Sequence, residues 1–211
     1  MKYLIVINLL ICSLSVSSKD SKWLKTFTLY NQPTYYKSAV FAAHNETSFF
    51  QLKDIQKTVK IDSFDLHLLN ACLFYVCNKI RIKHKLLPFK MDEQLKQVAS
   101  VHSYQMSVHH FFDHYNSFEP ALKKPLDRFK ALNIEFVSYA ENCHKEFLED
   151  DEITYLQLAQ QAIESLYNSP VHRKNILNKN YVFGVSGAAL EKTKDGFFLL
   201  VTQNFYNNWT F

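Results

Sequence analysis

The chain reads as an α+β domain in which several helices cover a small antiparallel sheet. Three observations predict this. Apolar residues recur at helical spacing through the middle of the chain, beginning with Leu66, Leu69, Leu73, Val76 and Ile80. β-branched and aromatic residues concentrate late, in residues 181–190 and 197–205. Between those two runs Lys194-Asp195-Gly196 is a turn that folds them into a hairpin. Helices first and strands last give segregated layers rather than alternating βα units.

The elements follow in order. Residues 1–18 have the make-up of an export leader: Lys2, an apolar stretch over 3–14, then small residues at Val16-Ser17-Ser18. The stretch is shorter than the roughly 20 residues a bilayer span needs, so cleavage is expected and no transmembrane segment remains afterwards. Cys12 goes with the leader; Ile11 before it is too bulky for a lipoprotein signal. Residues 19–62 mix polar and aromatic side chains with weak periodicity and are read as an extension of unknown role that packs on or arms the main domain, residues 63–208. A first helix starts near Asp62 and ends before Pro88. A second spans 91–109, with Leu95, Val98, Ala99, His102 and Met106 inward. A short helix over 125–132 stops at Asn133, which tolerates the left-handed conformation. A strand is expected near 136–142 and a helix over 154–167. Ser169 then suits an N-cap and Pro170 the first helical position, so a new helix over 169–177 carries His172 in its first turn.

Composition removes several functions. At 211 residues the chain supports one good core, and 18 Phe with 12 Tyr exclude disorder as the main state. Three Gly, at 184, 187 and 196, leave no phosphate-cradling loop. The net charge is +4 with charges interspersed along the sequence, which gives nucleic-acid binding no support. Of four Cys, Cys72 and Cys77 lie five apart on one helix, about 7.5 Å of rise, too far to bridge each other. A disulfide, if formed, joins Cys143 to one of them and leaves one thiol free. The core, not a disulfide framework, must hold the fold.

Nine His invite metal chemistry. His110 and His114 are four apart, as in the His-Glu-x-x-His zinc proteases, but Phe111 stands where the general base belongs. His102, on the inward stripe of the second helix, reads as a hydrogen-bonded core histidine. His44, His67, His84, His109 and His144 have solvated or packing roles by default. Two carboxylate-bearing pieces differ from these. Phe111-Phe112-Asp113-His114 sets a polar corner after what reads as a buried aromatic pair. Tyr139-Ala140-Glu141-Asn142 ends an apolar run with an acid that is costly to bury unless cations or donors meet it. His114 and His172 are the candidates to do so.

These pieces carry a resemblance. Residues 65–207 resemble a CAP domain, the fold of cysteine-rich secretory proteins, venom allergens and plant pathogenesis-related proteins, and are most similar to its compact bacterial secreted form. The carrying motifs, in order, are His102-Ser-x-x-Met106, Phe111-Phe-Asp-His114, Pro125-Leu-Asp-Arg128, Glu141-Asn142, Asn168-Ser-Pro-Val-His-Arg-Lys-Asn-Ile-Leu-Asn178 and Thr202-Gln-Asn-Phe205. The resemblance implies a three-layer α-β-α sandwich and a cleft lined by His114, Glu141 and His172. In the family the two histidines hold a divalent metal, often zinc, with the acid nearby. Two ligands imply weak, exchangeable metal rather than a structural site. The chain departs from the pattern at Ala140 and Val171, where glycine is usual, and after His114, where the Pro-Asp-Gly turn is missing. Ser169 stands where animal forms carry a second Glu, for which Glu164 is a candidate substitute. The animal-type histidine before the Thr-Gln strand is replaced by Leu200 or Val201.

Two functions from different classes follow. The first is a secreted, non-catalytic module, extracellular or periplasmic and monomeric. It binds a small apolar ligand, an envelope component or a protein partner, and needs no cofactor beyond a weakly held Zn2+ or other divalent cation on His114 and His172, with or without Glu141. CAP domains are known more for binding than for turnover. The second is a metal-assisted hydrolase or peptidase with Glu141 as base and His114 and His172 as its catalytic partners. Ser169 and Cys143 are weaker nucleophile candidates, because the first serves better as a cap and the second as a disulfide partner. A third, structural reading makes Glu141 and the two histidines a buried polar clamp.

Overall fold

The computed structural model describes residues 43–148 and 152–208; the leader, most of the aromatic extension and Cys12 lie outside the described residues. Among the described residues five α-helices run in chain order: α1 (Leu66–Lys83), α2 (Glu93–His109), α3 (Pro125–Ala131), α4 (Tyr155–Asn168) and α5 (Pro170–Ile176). Three strands, β1 (Ser138–Phe147), β2 (Phe183–Thr193) and β3 (Gly196–Asn207), form one antiparallel sheet in the order β1-β3-β2. β1 is therefore an edge strand. It starts later and runs longer than its apolar pattern suggests, so Glu141 and Asn142 sit within the strand rather than at its end.

Local signals set the helix boundaries. The Asp65 side chain accepts from the His67 and Leu68 amides at 3.1 and 3.0 Å, and Asp92 from the Leu95 amide at 2.8 Å. α2 ends where His110 turns left-handed (φ 53°), and Asn133 does the same after α3 (φ 53°). Thr154 and Gln157 form a capping box on α4. Ser169 does occupy the N-cap of α5 with extended backbone, and its carbonyl accepts from Arg173 at 2.8 Å, but its side chain makes no cap bond. The hairpin between β2 and β3 turns through Lys194 and Asp195, with Gly196 at φ +138°.

Alternation along the strands divides the sheet into two faces. One carries Glu141, Cys143, Thr202, Asn204, Val185 and Gly187 and packs on α2 and α3. The other carries Asn142, Val201, Phe205 and Ala188 and packs on α1, α4 and α5. The result is the α-β-α sandwich. α2 lies very close to the sheet: a Cβ on Gly187 would sit 2.5 Å from the Ala99 carbonyl carbon, so only glycine permits this approach. There the Ser103 hydroxyl donates to the Gly187 carbonyl, 2.8 Å away, and lies 2.8 Å from the Thr202 hydroxyl.

The described part of the extension packs into the larger core. Phe49 is fully buried and stacks on Tyr75 with ring centroids 4.0 Å apart, and Ile55 is also fully buried. Each such burial contributes roughly 1.5–3 kcal/mol. Val59 donates to Ile153 O at 2.8 Å and Tyr155 to Lys57 O at 3.1 Å, lacing this segment to the start of α4. None of these contacts touches His114, Glu141 or His172. Cys72, Cys77 and Cys143 are all buried and unbonded to one another, so no disulfide links the described cysteines.

Candidate functional site

Glu141 points from β1 toward α2 and α3, and its side chain is only 2% exposed. Burial alone would push its carboxyl pKa up. A hydrogen bond from His114 and the charge of Arg128 outweigh that and hold it down to about 2. Arg128 Nη2 reaches both carboxylate oxygens, at 2.8 and 2.7 Å, and Asn204 Nδ2 donates to Oε2 at 3.0 Å. The same guanidinium donates to Leu122 O at 3.0 Å and to His114 O at 3.1 Å. A single buried cation from the last turn of α3 therefore ties two loops to the edge strand.

His114 stands in the turn after α2. That turn is fixed by Phe111 N donating to Met106 O at 3.2 Å and by a 2.9 Å bond between His102 Nε2 and Asp113 O. His114 Nδ1 lies 3.0 Å from Glu141 Oε1, and the ring is 43% exposed. The bond to Glu141 raises the His114 pKa despite partial burial. With Nδ1 engaged by a carboxylate, Nε2 is the free nitrogen, and the tautomer is set.

His172 comes from the opposite layer. Asn142 Nδ2 donates to its carbonyl at 3.2 Å, while Asn175 Nδ2 donates to Asn142 Oδ1 at 2.8 Å, so the first turn of α5 is held against β1 by paired amides. Burial lowers the His172 pKa, and the charges of His114 and His144 lower it further. The charge of His114 is thus felt at His172. Of the two histidines, Glu141 is bonded to His114 alone. No hydrogen bond joins it to His172; its charge is met by Arg128, His114 and Asn204.

Several participants went unread in the sequence. Arg128 appears there only within a family motif, although a buried carboxylate demands a cation and could have prompted the search for one. Asn204 likewise shows only as part of a strand. His102 is fully buried and hydrogen-bonded, as a core histidine should be, yet it also lies 3.9 Å from Glu141 Oε1, and its Nδ1 has no partner. His102, Glu141 and Cys143 offer ligand-type atoms within 4.8 Å of one another. This trio is already committed: Glu141 to Arg128, His102 Nε2 to Asp113 O, and Cys143 as a thiol whose pKa burial pushes well up. The aromatic pair before His114 is not buried as a unit. Phe112 is 48% exposed, because the left-handed turn at His110 swings it outward while Phe111 packs on Met106 and His102. Glu164 is exposed on α4, beside Glu152 and Gln161, with no bond to either histidine.

No helix among the described residues is long and apolar enough to cross a membrane. Among curated proteins the chain is 28% identical over 132 residues to the uncharacterized membrane protein YlbC of Bacillus subtilis, covering 63% of this chain and 32% of that one. It is 32% identical over 104 residues to the uncharacterized protein YkwD of the same organism, covering 49% and 36%. The chain thus spans about a third of the length of these relatives. Among solved structures, an outer surface protein of Borrelia burgdorferi shares the fold, with a TM-score of 0.54 at 17% identity over 68% of this chain and 96% of that one. The model of the cysteine-rich secretory protein (CAP) family matches residues 74–205, from within α1 to within β3, and so takes in His114, Glu141 and His172. The chain belongs to the CAP family.

Proposed function

We propose that this chain is a secreted CAP module that works by binding rather than turnover, with a divalent cation, zinc being the best match, held weakly and exchangeably by His114 and His172. The observation that carries this reading is the 3.0 Å contact between His114 Nδ1 and Glu141 Oε1. It is the carboxylate–histidine arrangement that orients an imidazole for metal, and it leaves Nε2 available beside His172. A neutral His172, favoured by its lowered pKa, suits the second ligand. Glu141 supports the site from behind; with Arg128, Asn204 and His114 on its oxygens it has no free direction for a metal. The same saturation and the low pKa make it a poor general base, which weighs against the hydrolase alternative. The composition of residues 1–18 supports export. The occupant that a bound cation would help hold is an extracellular small molecule, envelope component or protein.

The test is calorimetric titration of zinc into the wild type, His114→Ala/His172→Ala and Cys143→Ser. A loss confined to the double variant supports the site. Equal affinity in wild type and double variant would sink it, and a loss that follows Cys143→Ser would move the metal to the buried trio.

A further inference from the structure

Two stretches that are far apart in sequence meet on one face and are both free of acid. Residues 79–91 contain Lys79, Arg81, Lys83, Lys85 and Lys90 and no Asp or Glu; residues 165–190 contain Arg173, Lys174 and Lys179 and again none. With a net charge of +4 for the whole chain, the remainder is net acidic. Interspersion along the sequence therefore conceals a local excess of base where the two stretches meet.

Arg81 makes the junction. Its guanidinium is buried, and Nε donates to Leu87 O at 2.8 Å while Nη1 donates to Ile176 O at 2.7 Å and Asn178 O at 3.0 Å. His84 Nε2 lies 2.7 Å from the Tyr167 hydroxyl, and Arg173 sits over the Tyr167 ring at 5.6 Å. The turn after α1 and the α5 region thus form one surface. Lys83, Lys85, Lys174 and Lys179 are exposed on it, and none is ion-paired with a described residue. At its tip the left-handed Lys85 (φ 60°) lifts Leu87 into solvent, 83% exposed, close to the 45% exposed Ile82.

We infer that this face is a docking surface for an anionic lipid bilayer, with the lysines at the headgroups and Leu87 inserted at the interface. Unpaired lysines alone would suit any polyanion. A bare leucine at the tip of a lysine-bearing surface gains nothing from a soluble polyanion but is stabilised in the acyl boundary, and a bilayer accepts both groups together. The surface is independent of the metal reading; none of its lysines touches His114 or Glu141.

The experiment is vesicle co-sedimentation with the chain from residue 19 onward, which keeps every residue of the described fold. Vesicles of pure phosphatidylcholine are compared with vesicles containing roughly 30% phosphatidylglycerol, with charge the only difference between them. Binding to the anionic vesicles alone is expected. Lys83→Glu/Lys85→Glu should lose about tenfold or more, and Leu87→Ser several-fold at unchanged charge. Lys130→Glu, an exposed lysine on α3, should bind as wild type. Thermal melting of each variant establishes that the fold is retained. Equal binding to neutral vesicles, or equal loss in Lys130→Glu, overturns the proposal. So does an unaffected Leu87→Ser, which would assign the face to a soluble polyanion.

Discussion

Two buried glutamates on the same face of the sheet are each bonded by a histidine from the end of α2, yet their surroundings differ. Glu141 is bonded by His114 at 3.0 Å, and Glu191, on β2, by His110 at 2.8 Å. The histidines are four residues apart. Behind Glu141 stands Arg128, 1% exposed, with Asn204 beside it. Behind Glu191 stands Lys145, whose side chain is 25% exposed and lies over the Phe198 ring. His110 is 64% exposed, whereas His114 is 43% exposed and its charge is felt at His172. A carboxylate–histidine pair is therefore not in itself a site. The Glu191 pair fastens the end of α2 to the sheet; the Glu141 pair fastens the turn after α2 to β1 and, in the proposed site, also orients an imidazole for metal.

The comparison can be broken first at the cations. Arg128→Met leaves the buried Glu141 with only His114 and Asn204 and should cost about 3–5 kcal/mol in chemical denaturation. Lys145→Met leaves Glu191 nearer to water and should cost about 1 kcal/mol. Equal losses would make the two clamps equivalent. The acid branch of the stability curve comes next. The Glu141 carboxyl titrates below its ordinary 4.5, at about 2, so the stability it brings is complete above pH 4.5 and is lost as the pH falls toward 2. That loss is about 3 kcal/mol, and Glu141→Gln should flatten it. Glu191 is shifted in the same direction, and Glu191→Gln should leave most of the acid branch in place. The smallest and most selective contrast is in zinc affinity. His114→Ala should lose at least tenfold and His110→Ala stay within about twofold of wild type. Because Glu141 raises the His114 pKa, protons should compete with zinc already above pH 6.5, and affinity should fall steadily as the pH drops through that region. A pH-independent affinity would remove His114 from the site.

Much of this arrangement was legible beforehand because it is local. Pro170 after Ser169 starts α5, Asn133 stops the short helix, and the Lys194-Asp195-Gly196 turn joins two β-rich runs, each through the conformation its own backbone prefers. What stayed hidden depends on convergence. Arg128 follows an acid in a short helix and reads as a surface charge; only the fold brings it under β1. Phe112 is apolar, and nothing in its neighbours reveals that a left-handed His110 sends it outward. The lysine-bearing face needed Arg81 to join two segments some ninety residues apart. The cap at Ser169 was right in position and wrong in chemistry, since backbone alone forms it.

Gly187 has a mechanical consequence. α2 comes closest to the sheet there, at Ala99 and Ser100, and continues for nine more residues, about 13 Å, to the turn that carries His114. The glycine hydrogen sets the spacing between helix and sheet at that point. A methyl group at Gly187 would push the helix off the sheet, and through Met106, which packs on Cys143 and Leu200, the displacement would reach the turn that carries the imidazole. The gauge of the cleft is thus set on the edge strand opposite the one that supports the cleft, by the smallest side chain in the protein.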